Sequence, residues 1–311
     1  MTHTIFIDGE AGTTGLEIRE RLEARTDLEL ILLGDRRRDV AARREALNSA
    51  DAVILCLPDD AAKEAVSMIE NPAVRVIDAS TAFRVDPAWT YGFLEMDAGQ
   101  RAAIAASTRV SNPGCYPTGF ISLMRPLVRA GLVPASHPVT VNAVSGYSGG
   151  GKVMIAEFEA AGASTAFRAY GMTLKHKHVP EMTLHTGLSR NVLFAPAVGA
   201  YRQGMLDEVP LHLSILPETP SVERLHGALV EAYDGQRFVE VADLDETEAM
   251  SGIEPEALNG TNRMRLHVFG DRGGEQARLV ALLDNLGKGA SGAAVQNLNI
   301  MLGLDEATGL V

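Results

Sequence analysis

Short apolar runs alternate with amphipathic stretches through the first third of the chain. Residues 4–7, 28–33, 52–57 and 74–79 are predominantly apolar, as strands covered on both faces are, and 16–25, 36–48 and 61–69 between them have helical character. This strand–helix alternation predicts a parallel sheet with helices on both sides, the doubly wound α/β fold of Rossmann type. The pattern changes after residue 115. A helix is predicted over 117–130 and a strand over 139–144, and longer strands follow at 211–216, 237–241, 263–270 and 279–283 with fewer helices between them. These predict a second, α+β domain with a mostly antiparallel sheet. The last apolar stretch, 290–302, reads as a helix that returns to pack on the first domain. No internal repeat and no low-complexity linker interrupts the chain.

Length agrees with two domains, since 311 residues exceed what one ordinary core serves. With 46% hydrophobic and 22% charged residues, the chain can bury a core without disulfides or structural metals. Its net charge of −12 argues against a nucleic-acid partner, because the densest basic run is only Arg36-Arg37-Arg38. Two cysteines, Cys56 and Cys115, make no disulfide framework and point to a reducing compartment. No signal-peptide pattern and no bilayer-length apolar stretch is present, so a cytoplasmic protein without a membrane partner is expected.

Candidate chemistry begins at Gly9-Glu10-Ala11-Gly12-Thr13-Thr14-Gly15, between the first strand and the first helix. The GxxGxxG spacing differs by one position from the dinucleotide fingerprint. Glycine lets the backbone approach a phosphate, and a helix N-terminus offers it N–H groups and partial positive charge. Gly9, Gly12, Thr13, Thr14 and Gly15 are therefore candidate cofactor ligands. At the end of the second strand, Gly34-Asp35-Arg36-Arg37-Arg38 presents both signs. Arg36 and Arg37 favour the 2′-phosphate of NADP, whereas Asp35 permits NAD.

Ser111-Asn112-Pro113-Gly114-Cys115-Tyr116-Pro117-Thr118 holds Cys115 in a proline-stiffened loop just before a helix start. There the local field lowers a thiol pKa and makes the thiolate a nucleophile toward an acyl carbon. Cys56, inside an apolar strand, is assigned to the core. In Lys175-His176-Lys177-His178-Val179-Pro180-Glu181, an extended backbone would point His176 and His178 the same way, as candidate acid–base groups. A His-x-His zinc site with His185 is disfavoured, because no cysteine cluster and no HExxH accompanies it. The run Ser145-Gly146-Tyr147-Ser148-Gly149-Gly150-Gly151-Lys152 is not a P-loop, since Lys152 precedes Val153; it is either an anion nest or a hinge.

These segments, with residues 78–84 and 284–299, resemble N-acetyl-gamma-glutamyl-phosphate reductases in their shorter, type 2 form. The Asn-Pro-Gly-Cys-Tyr-Pro-Thr segment is the most specific part of the match. The resemblance implies NADPH-dependent reduction of N-acetyl-glutamyl 5-phosphate to N-acetyl-glutamate 5-semialdehyde and phosphate through a thioester on Cys115, a step of arginine biosynthesis. It implies a fold like that of aspartate-semialdehyde dehydrogenase, with a dinucleotide-binding domain over 1–114 plus the returning 289–311. The catalytic, substrate and dimerisation domain would span 115–288, in a homo-oligomer. It further implies His176 or His178 as acid–base group, and Ser80, Arg84, Asn112, Ser145 and Gly146 around substrate or phosphate. Asn285 and Gln296 would lie at the nicotinamide. Two other readings stand beside it: the same chemistry on another acyl phosphate, such as aspartyl phosphate, and a non-catalytic NADP-binding sensor.

Overall fold

The computed structural model describes residues 2–162 and 164–311, with Arg37 and Arg38 described by their backbone alone. The chain divides into two compact units. One runs to Leu94 and adds Ala98–Gly114 and Ala290–Val311; the other is Glu95–Asp97 with Cys115–Gly289.

The first unit is built from β1 (His3–Asp8), α1 (Thr13–Glu23), β2 (Leu28–Ile31), α2 (Val40–Ser49), β3 (Ala52–Leu55), α3 (Asp59–Ser67), β4 (Arg75–Asp78), β5 (Thr90–Tyr91), α4 (Gln100–Ala106) and β6 (Arg109–Ser111). Its six strands pair in parallel in the order β2-β1-β3-β4-β6-β5. Alternate strand residues divide between two cores, as the two-residue period requires. Ile5, Ile7 and Ile54 join Ile18 and Leu22 of α1, Ile104 of α4, and Leu298 and Met301 of the final helix Gly292–Met301. Phe6, Val53 and Leu55 meet Leu47 of α2 and Ala62 and Ala65 of α3 on the opposite face.

The helix expected over 36–48 is broken. Gly34–Arg38 is a 3-10 turn, and α2 starts only after Asp39, whose carboxylate accepts the Ala41 and Ala42 N–H groups at 2.9 and 3.2 Å. An N-cap aspartate of this kind ends one element and begins the next.

The second unit comprises α5 (Cys115–Arg129), β7 (Thr140–Gly146), α6 (Gly151–Glu159), β8 (Phe167–Ala169), α7 (Val179–Thr186), β9 (Leu193–Gly199), β10 (Met205–His212), α8 (Val222–Tyr233), β11 (Val239–Val241), α9 (Leu244–Ala249), β12 (Met264–Gly270) and β13 (Gln276–Leu283). The sheet order is β11-β12-β13-β10-β7-β9-β8. β10–β13, β10–β7, β12–β13 and β8–β9 run antiparallel, while β7–β9 and β11–β12 are parallel. The mixed sheet is thus mostly antiparallel, but helices separate its strands more often than the pattern predicts.

The short strands β5, β6 and β8 went unpredicted, and two longer strands depart from expectation because each contains a proline. β10 lies at Met205–His212, not 211–216, and Leu213–Ile215 is a 3-10 turn. β9 went unpredicted. Pro210 falls beyond the pairing with β7, and Pro196 falls beyond the pairing with β8, so neither missing N–H breaks a ladder on that side.

Candidate active site

The chemistry-bearing residues fall on both units. In the second unit, Cys115 is itself the first residue of α5, two positions before the expected start. The N–H groups of a first turn lack intrahelical acceptors, and the helix field is positive there. Cys115 is half-buried. α5 behind it is buried without a break from Tyr116 to Met124, which fixes the end of the helix in place.

The Tyr116 hydroxyl donates to the Ala197 carbonyl at 3.0 Å and accepts from the Tyr170 hydroxyl at 3.3 Å. Burial is the main force holding both phenols neutral, and negative charge on Cys115 adds to it at both, so the thiol lies within electrostatic reach of the pair.

His176 and His178 lie beside these rings. The segment is not extended: His178 has helical dihedrals at the N-cap of α7. Pro180 in the first turn of that helix explains this, since proline is preorganised there. The imidazoles nevertheless meet, with centroids 4.7 Å apart. His176 also packs edge-on against Phe194 at 5.0 Å and Tyr170 at 5.8 Å, and His178 lies 6.1 Å from Tyr116. The His178 N–H donates to His176 Nδ1 at 3.2 Å, so neutral His176 carries its proton on Nε2. Burial, followed by the charge of Lys177, lowers the His176 pKa below 6.5 and favours that neutral form.

Behind α5, Asp207 of β10 is fully buried, and its carboxylate oxygens find no hydrogen-bond partner among the described residues. Burial pushes its pKa well above the carboxylate range. It abuts Gly119, one turn beyond Cys115, and a Cβ at 119 would overlap it.

The glycine-rich run is only partly a nest. The N–H groups of Gly146, Tyr147 and Ser148 donate to the carbonyls of Gly204, Tyr201 and Arg202 at 2.9, 2.9 and 3.0 Å. The buried Ser145 hydroxyl donates to the Gly146 carbonyl at 3.1 Å. Asn285 ties this run to the 201–204 segment, donating to Ser148 Oγ at 3.0 Å and accepting from the Gly204 N–H at 2.8 Å.

In the first unit, the loop between β1 and α1 is built for close approach. Gly9 has a φ of +92°, and a Cβ there would overlap the Cys56 carbonyl oxygen. A Cβ at Gly15 would overlap the Gly9 carbonyl oxygen. Gly12 provides no side-chain cap to α1, which opens with Thr13 and Thr14. Uncapped N–H groups above a loop bounded by Gly9 and Gly12 suit a pyrophosphate. Arg36 is exposed, its nearest carboxylate being Asp39 at 4.0 Å. The Arg37 and Arg38 side chains lie outside the described residues.

Ser80 and Arg84 gather at the end of β4 around Asp78. The Ser80 hydroxyl donates to Asp78 Oδ2 at 2.6 Å and accepts the Ala82 N–H at 3.1 Å, while Arg84 donates to the Ala79 carbonyl at 3.0 Å. Burial raises the Asp78 pKa to about 6, against the opposing Ser80 bond and Arg84 charge. Asn112 donates to the Ala290 carbonyl at 3.0 Å and accepts from Asn297 at 3.2 Å. Gln296 donates to Glu306 at 2.7 Å. Among the described residues, no group of three or more His, Cys, Asp or Glu is placed to hold a metal ion, and no helix is long and apolar enough to cross a membrane.

Spacing alone missed Tyr170 and Asp207.

Comparison with known proteins places these residues in a family. Residues 4–105 match the semialdehyde dehydrogenase NAD binding domain, and residues 115–285 match the semialdehyde dehydrogenase dimerisation domain. N-acetyl-gamma-glutamyl-phosphate reductase of Burkholderia ambifaria is 55% identical, covering 97% of both chains. N-acetyl-gamma-glutamyl-phosphate reductase 2 of Pseudomonas putida is 53% identical, covering 99% of both. The structure of a probable aspartate-semialdehyde dehydrogenase from Pseudomonas aeruginosa superposes with a TM-score of 0.70 at 14% identity, covering 97% of this chain and 99% of that one, a likeness of fold. The chain belongs to the N-acetyl-gamma-glutamyl-phosphate reductase family, built on the semialdehyde dehydrogenase fold.

Proposed function

We propose that this protein reduces N-acetyl-glutamyl 5-phosphate to N-acetyl-glutamate 5-semialdehyde and phosphate, with Cys115 as nucleophile. One observation carries the mechanism: a half-buried cysteine opens a buried helix, in the same unit as a pair of packed imidazoles. The helix field favours the thiolate. Cys115 Sγ attacks the acyl carbon, the carbon–oxygen bond to phosphate breaks, and phosphate leaves with the bond's electrons. A thioester holds the acyl group at the site and keeps its carbonyl reactive. NADPH supplies the hydride that reduces the thioester carbon. The resulting hemithioacetal collapses to aldehyde, its hydroxyl proton is taken up, and the Cys115 thiolate is restored.

His176 presents an Nε2–H and serves as donor to the oxygen that gains charge in these steps. His178 is the remaining proton acceptor. Gly9, Gly12, Thr13, Thr14 and Gly15 hold the pyrophosphate, and Arg36, with Arg37, takes the 2′-phosphate. Arg84 and Ser145 serve the substrate's anionic groups. Like Ser80, Asn112, Asn285 and Gln296, both already hold hydrogen bonds within their own units. The chain works as a homo-oligomer, a reading supported by the dimerisation-domain match.

The test runs in reverse. The semialdehyde, NADP and phosphate should generate NADPH absorbance, and omitting phosphate should stop acyl-phosphate formation. Cys115→Ser should abolish turnover while leaving NADPH binding within about threefold, because only the nucleophile is lost. Turnover that survives in Cys115→Ser, or that prefers aspartate semialdehyde, would refute the assignment.

A further inference from the structure

A buried ion pair in the second unit has no place in this chemistry. Lys288 Nζ lies 2.7 and 2.8 Å from the two Glu95 carboxylate oxygens. Both side chains are almost wholly buried, at 2% and 0% exposure. Such a pair is poor at adding stability, because desolvation offsets most of the attraction; registry is its best-attested use.

Its surroundings show what it could register. Lys288 belongs to the single turn of π-helix Gly287–Ser291. The next residue, Gly289, backs directly onto the nucleophile: a Cβ there would stand 2.9 Å from Cys115 Cβ and 3.3 Å from its Cα. The Gly289 N–H donates to the Asp284 carbonyl at 2.9 Å, and Asp284 Oδ2 accepts from Gln203 and the Gly260 N–H at 2.7 and 2.8 Å. On the other side, negative charge on Glu95 helps hold Tyr233 neutral after burial, and Tyr233 donates to the Ser122 carbonyl of α5 at 2.9 Å. Lys288 also lies 5.9 Å over the Phe238 ring.

We infer that Glu95 and Lys288 are positioning residues, clamping the Gly287–Ser291 turn so that Gly289 seats against Cys115 and fixes where its sulfur points. This rests on Cys115 being the nucleophile. The pair acts on the thiol through the backbone of Gly289.

The double variant E95Q/K288M removes both charges while keeping side-chain volume, and Gly289→Ala leaves the pair intact but presses on Cys115. In each, kcat for NADPH-dependent reduction should fall by about 100-fold, the scale of an ångström-level misplacement. KM for the acyl phosphate and for NADPH should stay within about threefold, since neither ligand contact is altered. The rate of Cys115 alkylation by iodoacetamide should change in the same variants. If E95Q/K288M does not fold, Gly289→Ala decides alone. Wild-type kcat in Gly289→Ala, or a folded E95Q/K288M with wild-type kcat and alkylation, would overturn the inference. A fully active Cys115→Ser would remove the nucleophile reading instead, so the two failures are distinguishable.

Discussion

The two cysteines differ in surroundings more than in chemistry. Cys56 is packed against the first unit's core, and burial, then the charges of Asp78 and Asp8, push its thiol up to about 12. It remains protonated at neutral pH, so iodoacetamide should label Cys115 far faster, as peptide mapping would show. This contrast was legible in the sequence, since one cysteine lies in an apolar run and the other before Tyr116-Pro117. Asp78 was not legible as a titrating group, because its perturbation comes from side chains brought over it by the fold. With its folded pKa raised to about 6 from 3.8, native protein binds this proton more tightly than unfolded chain does. Its contribution is therefore complete below the unfolded value and is lost as pH rises through about 6. Asp78→Asn should remove that decline, worth up to about 3 kcal/mol at neutral pH. Urea melts at pH 4, 5, 6 and 7 would show it, and an unchanged slope in the variant would count against the assignment.

The two strands that carry proline, β9 and β10, were not read where they lie, whereas the helix α5 was read within two residues despite Pro117 and Pro126. The β1–α1 loop could be anticipated because its three glycines follow an apolar run. Its tightness is now specific: Gly9 sits in the left-handed region against the Cys56 carbonyl. Gly9→Ala should cost more than about 1 kcal/mol in stability and weaken NADPH binding together with it. Thermal melts and fluorescence titration test this, and an unchanged NADPH dissociation constant would remove the loop from the cofactor site. β9 was hidden by Pro196, and the turn carrying His176 and His178 was misread as extended because alternation of lysine and histidine imitates a strand. In both places the deciding information is tertiary: which side of a strand is paired, and where α7 begins.

At the scale of the whole molecule, the two units are interleaved in sequence, since Glu95–Asp97 belongs to the second and Ala290–Val311 to the first. The return of the tail could be read from its apolar helix. The three-residue excursion could not, because the partners of Glu95 and Asp97, Lys288 and Arg125, are distant in sequence. The second unit exposes large apolar side chains along its β8–β9 edge, including Phe167 at 61%, Met172 at 73% and Leu193 at 48%. Single exposed apolar residues are ordinary, but a grouping beside an edge strand suits association with another copy. Phe167→Glu should shift the protein toward monomer in analytical ultracentrifugation, and an unaltered sedimentation coefficient would place the interface elsewhere.

The abutment of Gly119 and Asp207 constrains how the protein can change over time. While the carboxyl stands there, alanine at 119 collides with it, so replacement at 119 becomes admissible only after 207 has first been trimmed. In a collection of relatives the two positions should therefore drift together, and the order of their substitution should be one-way.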